Sequence, residues 1–400
     1  MIEAMSGARY LFAAVPLRLA SAGTAAALPV LAVQQVHSVA IGGGLVAASL
    51  APSVLAAPIA GVLLDRSRHP ARLMVLSGFV TAVAFTIAAF VGVLPTSVVA
   101  IALIVAGAVT PFFMGGMSSF VTDAIPGRPE RAFGTDALAY NIGSVAGPAI
   151  AAAAITVGSG RVSMLALAGI AVIGMIACVL LRLSPHPEHP DRPSVFREIA
   201  RGSRFIATHR PLAVVTWSGT LNQLGQGALP IAAVGIAVAT TRNESDAAWI
   251  VTSFAIGALL GSLAVTMRPI HRMPAATVMA VAAVVTGLLT IVAAIVPGLP
   301  GAIVLIGVSG IATGPGVAAM LLLRTKHSPR PLRSQVFTVA AGLRATAAAV
   351  GAGLAGLVAS GAAGLLLALI GASWIASAVI LAAYPRPTVA ADGASDDAVT

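Results

Sequence analysis

The sequence predicts an all-α polytopic membrane protein, with twelve transmembrane helices in two pseudo-symmetric six-helix bundles. Three observations carry this prediction: the scarcity of charge, the placement of the basic residues, and an internal repeat. Of the 400 residues, 58% are hydrophobic and only 9% are charged, with a mean hydropathy of +0.98. A soluble domain carries roughly 25% charged residues, so this chain is far short of what a solvated surface needs. Its apolar stretches recur along the whole length, and lipid forces every backbone polar group to be paired internally, which favours helices. The alternating apolar and polar strands of an outer-membrane barrel are absent.

A helix needs about 20 apolar residues to cross the hydrocarbon core. On that rule the first bundle takes spans near 10–33, 39–63, 72–94, 97–121, 134–157 and 162–183. The second takes spans near 211–238, 247–267, 274–296, 300–323, 335–359 and 362–384. The first span opens like a secretory signal, with Arg9 before YLFAAVPL. Arg18 interrupts that run, however, and AALPVLAV extends it to a full crossing, so it is read as a retained helix. The fourth span is irregular, because PFFMGGMSS is polar for a lipid-facing helix. The lone Cys178 lies in an apolar run and excludes an internal disulfide framework.

Residues 1–183 then form the first bundle, 184–210 a central loop, 211–385 the second bundle and 386–400 a disordered, small and acidic tail. Proline makes the start of the loop extended. From Ser194 a helix follows, with Val195, Phe196, Ile199, Phe205 and Ile206 on one side and Arg197, Arg201 and Arg204 on another. That pattern suits a short helix on the cytoplasmic leaflet, with a solvated linker as the alternative.

The basic residues test this layout. With the N-terminus inside, nineteen of the 23 Lys and Arg fall in cytoplasmic segments, among them Arg66, Arg68, Arg72, Arg324 and Lys326. Outer loops hold Arg161 and Arg242, and only Arg18 and Arg344 lie inside spans. Such a bias follows the positive-inside rule and places both termini in the cytoplasm. The net charge of +10 is therefore an orientation signal. A nucleic-acid partner is excluded, because the arginines are dispersed through short loops without interleaved aromatics.

The two halves echo each other. ALPVLAV at 27–33 returns as ALPIAAV at 228–234, 201 positions on, and HPARLM at 69–74 aligns with MPAATVM 204 positions on. Phe133 and Gly147 in the fifth span correspond to Phe337 and Gly351 in the eleventh at the same 204 offset. Six helices duplicated in parallel account for this spacing.

On these residues the chain resembles the major facilitator superfamily, whose transporters join two six-helix bundles through a long cytoplasmic loop. The family's loop between helices two and three reads Gly-x-x-x-Asp-Arg-x-Gly-Arg-Arg. Gly61, Asp65 and Arg66 fit that pattern, while Arg68 stands for the glycine and Arg72 follows displaced. The resemblance implies that Asp65 latches the bundles together on the cytoplasmic side, against the positive N-terminal end of helix eleven. In the fifth span, Gly143, Gly147 and Pro148 resemble the Gly-x-x-x-Gly-Pro motif of the superfamily's exporters, with Ala151 and Ala152 in place of its last glycines. Small residues four apart also allow close helix packing, so generic packing is the other reading of this motif.

Polar groups at membrane depth are functional candidates because their burial is costly. Arg344, which the repeat places opposite Tyr140, either lines a central cavity or snorkels toward the cytoplasm, and the same two readings hold for Arg18. Tyr140, Asn141, Asn222, Gln223 and Gln226 complete the polar set, with Asn222 and Gln226 on one helix face. Trp217, a turn earlier, is placed on nearly that side, whereas Trp249 and Trp374 are read as interface anchors or packing. Asp65, Asp123 and Asp136 are expected at cytoplasmic helix ends, with Asp123 and Asp136 as coupling candidates. No metal, cofactor or enzyme motif is present in the sequence: HExxH, GxSxG, Walker and cysteine clusters are all missing. The resemblance implies alternating access by a monomer in a bacterial plasma membrane. It carries a small molecule outward in exchange for protons, with an importer, a uniporter or a non-transporting scaffold as the alternatives.

Overall fold

The structure, a computed structural model, describes residues 2–37, 39–181, 183, 194–242, 246–270, 272–358 and 363–385. Twelve helices among these residues are long and apolar enough to cross a membrane. The first bundle begins with α1 (Ile2–Val36), α2 (Val39–Arg66), α3 (Pro70–Ala88) and α4 (Thr96–Phe113). Two short helices follow, α5 (Gly115–Ser119) and α6 (Val121–Ala124), before α7 (Pro129–Val157) and α8 (Gly160–Val179) complete it. The connecting helix α9 (Val195–Thr208) leads to α10 (Arg210–Thr241), α11 (Ala247–Met267), α12 (Ala275–Ile295) and α13 (Leu299–His327). A 3-10 turn, Arg330–Leu332, precedes α14 (Arg333–Val358), and α15 (Ala363–Leu381) ends the second bundle. The Pro-rich stretch 184–193 and the acidic tail 386–400 lie outside the described residues.

Helix starts follow the local chemistry. Proline opens α3 and α7 at Pro70 and Pro129, where its missing N–H costs nothing. Ser159 caps α8 by accepting the Val162 N–H. Proline also occurs within α1, α2, α7, α10 and α13, as membrane helices tolerate when neighbours re-satisfy the freed carbonyls.

The packing repeats between bundles. In the first, α1 packs on α7 and α8, α2 on α4, and α3 on α4 and α8. In the second, α10 packs on α14 and α15, α11 on α13, and α12 on α13 and α15. Each pair in one half thus has its counterpart in the other, which is the spatial form of the repeat.

The helices that pack most extensively across the bundles are α2 with α14, α5 with α14, and α7 with α11 and α13. This crossing explains the polar PFFMGGMSS stretch. The chain breaks at Met114, between α4 and α5, and Gly115 through Ser119 are all buried. A Cβ at Gly115 would lie 2.4 Å from the Phe337 carbonyl oxygen, so α5 faces α14 and not lipid.

The connecting helix α9 touches α2, α10 and α14. Ile206 is buried with Leu212 and Val336, while Phe196 is 82% exposed. The expected single apolar face is therefore split: its C-terminal part packs inward, against the junction of the bundles. The end of the molecule where α9 lies is called the linker end below.

Candidate functional site

A cavity of about 170 Å³ lies among α7 and the second-bundle helices α10, α11, α12, α13, α14 and α15. Its polar lining includes Tyr140 and Asn141 from α7, Asn222 and Gln226 from α10, and Arg344 from α14. The apolar part of the lining includes Phe254, Met279, Met320 and Trp374. Asn222 and Gln226 share a face because they are one helical turn apart. Arg344 donates through Nη2 and Nε to Gln223 Oε1, at 2.7 and 3.2 Å. It reaches the cavity and is held there by an amide. Asn141 donates to Ser262 Oγ at 2.6 Å, tying α7 of one bundle to α11 of the other.

Two tryptophans differ from expectation. Trp217 is 56% exposed and does not line the cavity. It precedes Asn222 by five residues, and at about 100° per residue that turns it some 140° away from the polar face. Trp374 is buried and lines the cavity. Its Nε1 donates to the Asn222 carbonyl oxygen at 2.8 Å, and its ring stacks on Phe254 with centroids 5.8 Å apart.

Arg18 neither snorkels nor lines the cavity. Its side chain is 2% exposed and forms an ion pair with Asp136 at 2.7 Å, Asp136 being fully buried. Tyr10 donates its hydroxyl to Asp136 Oδ1. The Arg18 guanidinium also donates to the Asp136 carbonyl at 3.1 Å and to Ser118 Oγ at 3.1 Å. Its Cζ lies 3.6 Å from the centre of the Tyr140 ring, close enough for a cation–π contact. Asp136 was expected at a helix end, but α7 begins at Pro129, so Asp136 sits two turns inside. Tyr140, one turn further along, connects this cluster to the cavity. Asp123 is exposed, outside the cavity, within electrostatic reach of Arg333 and Arg330 of the other bundle.

At the linker end Asp65 is 4% exposed. Its Oδ1 accepts the Ser334 N–H at 2.9 Å and its Oδ2 the Gln335 N–H at 3.0 Å. These are free donors of the first turn of α14, where the helix dipole also favours a carboxylate. Gly61, one turn earlier on α2, allows the approach: a Cβ there would stand 2.3 Å from Gln335 Cα. Arg66 Nε donates to Glu198 of α9 at 2.7 Å, and Gln335 Nε2 donates to the Ile199 carbonyl at 3.0 Å. Ser119 and Ser334 hydroxyls meet at 3.0 Å. Thus α2, α9 and α14 join at one point. Arg68, before α3, and Arg72, in its first turn, are both exposed.

The glycines of the fifth span serve a contact inside the first bundle. A Cβ at Gly147 would lie 2.5 Å from the Leu19 carbonyl oxygen, and one at Gly143 would lie 2.9 Å from Arg18 Cβ. They bring α7 against α1 closely enough for Arg18 and Asp136 to meet. Pro148 leaves the Ser144 carbonyl, beside the cavity, without its helical donor.

Sequence reasoning missed Ser118, Glu198, Ser334 and Gln335, polar residues in segments read as loops or helix ends. It also placed Arg324 in a loop. That residue lies within α13 and is 1% exposed. A signal was available: the apolar run of α13 continues through Met320, Leu321, Leu322 and Leu323 directly into Arg324.

The sequence matches the Major Facilitator Superfamily profile over residues 10–221. It is 25% identical to an uncharacterized MFS-type transporter of Sinorhizobium fredii over 94% of each chain. It is also 29% identical to the multidrug efflux pump Tap of Mycolicibacterium fortuitum, over 56% of this chain and 55% of that one. Among solved structures, a bacterial homologue of the iron transporter ferroportin in an outward-facing state matches with a TM-score of 0.77. That match covers 95% of this chain and 99% of the other at 11% identity. The Escherichia coli fucose:proton symporter matches with a TM-score of 0.70 at 14% identity, over 93% of this chain and 98% of that one. At these identities the structural matches speak for the fold alone.

Proposed function

This chain belongs to the Major Facilitator Superfamily, and on that premise we propose that it exports a small amphiphilic molecule by alternating access between its two bundles. The observation that carries the proposal is a cavity with an amide- and arginine-bearing polar lining and an aromatic and apolar remainder, lined by α7 of the first bundle and helices of the second. The arginine distribution supports the linker end as the cytoplasmic one, and we read the Asp65 contact there, which joins the two bundles, as favouring the state closed to the cytoplasm. Likeness to a multidrug efflux pump supports the outward direction.

For coupling we assign Asp136, the buried carboxylate beside the cavity. It is joined to the cavity through Arg18 and Tyr140. Protonating it would remove the charge that holds Arg18, which is a local change able to bias packing of α1 against α7.

Purified protein in proteoliposomes, loaded with a panel of labelled amphiphiles, tests the proposal. Export is expected to accelerate when an inward-directed proton gradient is imposed and to fall to the passive rate when that gradient is collapsed. Efflux unchanged by the gradient removes proton antiport. No flux of any solute in either direction leaves a non-transporting scaffold.

A further inference from the structure

We infer that Arg324 and Arg344 form an anion site at the linker-side wall of the cavity, and that the molecule carried is an organic anion whose oxyanion group, such as a carboxylate or sulfonate, lies against them. The inference rests on the transport reading above and names its substrate class.

Two buried arginines, one in each bundle, are met in opposite ways. In the first bundle the charge of Arg18 is balanced by Asp136 at 2.7 Å. In the second, Arg324 is 1% exposed, and its Nε and Nη2 have no hydrogen-bond partner. An arginine cannot shed its proton, and a buried charge without a counter-charge is strongly unfavourable. Something outside the described chain therefore has to meet this one.

The bundle itself has nothing to offer. No Asp or Glu occurs between residues 210 and 243, or between 247 and 385. Asp246 precedes α11, at the opposite end of α10 from the linker end. The repeat sharpens the contrast. At the 201 offset Gly219 stands where Arg18 stands, and at the 204 offset Ala340 stands where Asp136 stands. The first bundle's ion pair is thus replaced by two small residues, and an arginine from α13 enters the space. A Cβ at Gly219 would lie 3.3 Å from Arg324 Nη2 and 2.7 Å from Met320 Sδ.

Gly219 and Met320 both line the cavity, as does Arg344. Arg324 lies within electrostatic reach of Arg344, which donates to the neutral Gln223 and is itself within reach of Asp136 of the first bundle. A buried guanidinium with unpartnered Nε and Nη2 behind the Gly219 and Met320 lining, within electrostatic reach of a second cation that lines the cavity, suits an oxyanion, which accepts from several guanidinium N–H groups at once. The rest of the cavity suits an apolar body, since Phe254, Met279 and Trp374 face it. A dry cavity of about 150 Å³ holds benzene, so the volume of about 170 Å³ here fits a single-ring compound.

The test uses the full chain in nanodiscs, with Trp217→Phe and Trp249→Phe so that Trp374 alone reports. Both replaced tryptophans are exposed. Titrations compare 4-phenylbutyrate, its neutral amide and 4-phenylbutylamine, which share one ring and one chain length. The acid is expected to bind at least tenfold tighter than the amide, with the amine weakest. Arg324→Gln and Arg344→Gln are each expected to bring acid and amide within twofold of each other, while Arg324→Lys retains part of the preference. Arg324→Met is expected to melt higher than the parent without ligand, because it removes an unbalanced buried charge. A lower melting temperature for Arg324→Met would make that residue structural and overturn its assignment. Equal binding of acid and amide, tighter binding of the amine, or no binding of any of the three overturns the anion site. Binding of the acid without efflux from proteoliposomes leaves the site standing and removes export instead.

Discussion

Replacing Asp65 by asparagine changes one atom type and tests whether the linker end is held by a charge. The carboxylate accepts two backbone N–H groups, at 2.9 and 3.0 Å, from the first turn of α14. Hydrogen bonds to a charged group contribute roughly 1.5–3 kcal/mol each, against about 1 for neutral ones. When the linker end opens, both partners are hydrated, so these net values apply to the closing equilibrium. Asparagine keeps one neutral acceptor and turns its NH₂ toward the second N–H. The loss is about 2–5 kcal/mol, which at 1.4 kcal/mol per tenfold shifts the closed-to-open ratio by roughly 30- to 4000-fold. Spin labels on cysteines at His69 and Lys326, both exposed, report the distance across this end in a Cys178→Ala background. The parent is expected to give one dominant short distance, and Asp65→Asn to add or switch to a longer one. A distance distribution unchanged by Asp65→Asn, with the protein folded, would refute the latch.

Three further outcomes are expected. Asp136→Asn leaves Arg18 buried and unbalanced and should destabilise the protein by about 3–5 kcal/mol, whereas the double replacement Arg18→Met with Asp136→Leu should recover most of that loss in thermal melts. Gly61→Leu cannot fit beside Gln335, so it should populate the open linker end in the same spin-label experiment even with Asp65 intact. Trp217→Phe should leave efflux within twofold of the parent, while Trp374→Ala should lower substrate affinity tenfold or more, measured as the concentration giving half-maximal efflux.

Much of the fold was legible because its signals are long-range and redundant. Span length, arginine placement and the repeat each point to the same twelve helices, and a boundary error of a few residues alters none of them. The meeting of Asp65 with the start of α14 was expected only through the family resemblance of Gly61, Asp65 and Arg66; nothing in composition or spacing pointed to it. What escaped were properties set by rotation about a helix axis or by the partner helix. Trp217 was assigned to the polar face although five residues separate it from Asn222. Asp136 was placed at a helix end because α7 starts five residues before the apolar run begins. Arg324 was counted with the loops, since a basic residue at the end of an apolar run looks the same whether it enters water or turns inward. Only the position of Gly219 on the facing helix decides between them.

The two bundles divide the work through this difference in charge. Arg18 and Asp136 neutralise each other inside the first bundle, and α1 and α7 can stay packed whatever the cavity holds. Arg324 has no such partner among the described residues, so on the anion-site reading the second bundle's wall is most favourable when an anion occupies it. On the latch reading the Asp65 contact stabilises one state by only a few kcal/mol, and a transporter must visit both. A ligand shifts that equilibrium only by its difference in affinity between the two states. If the arginines draw apart or become hydrated when the linker end opens, an anion bound between them favours the closed state. It then adds to the Asp65 contact, and its release removes that addition. The spin-label experiment distinguishes this arrangement from a latch acting alone: 4-phenylbutyrate should restore the short distance in Asp65→Asn but not in Asp65→Asn combined with Arg324→Gln. Equal recovery in both would place the coupling between cavity and gate somewhere other than at Arg324.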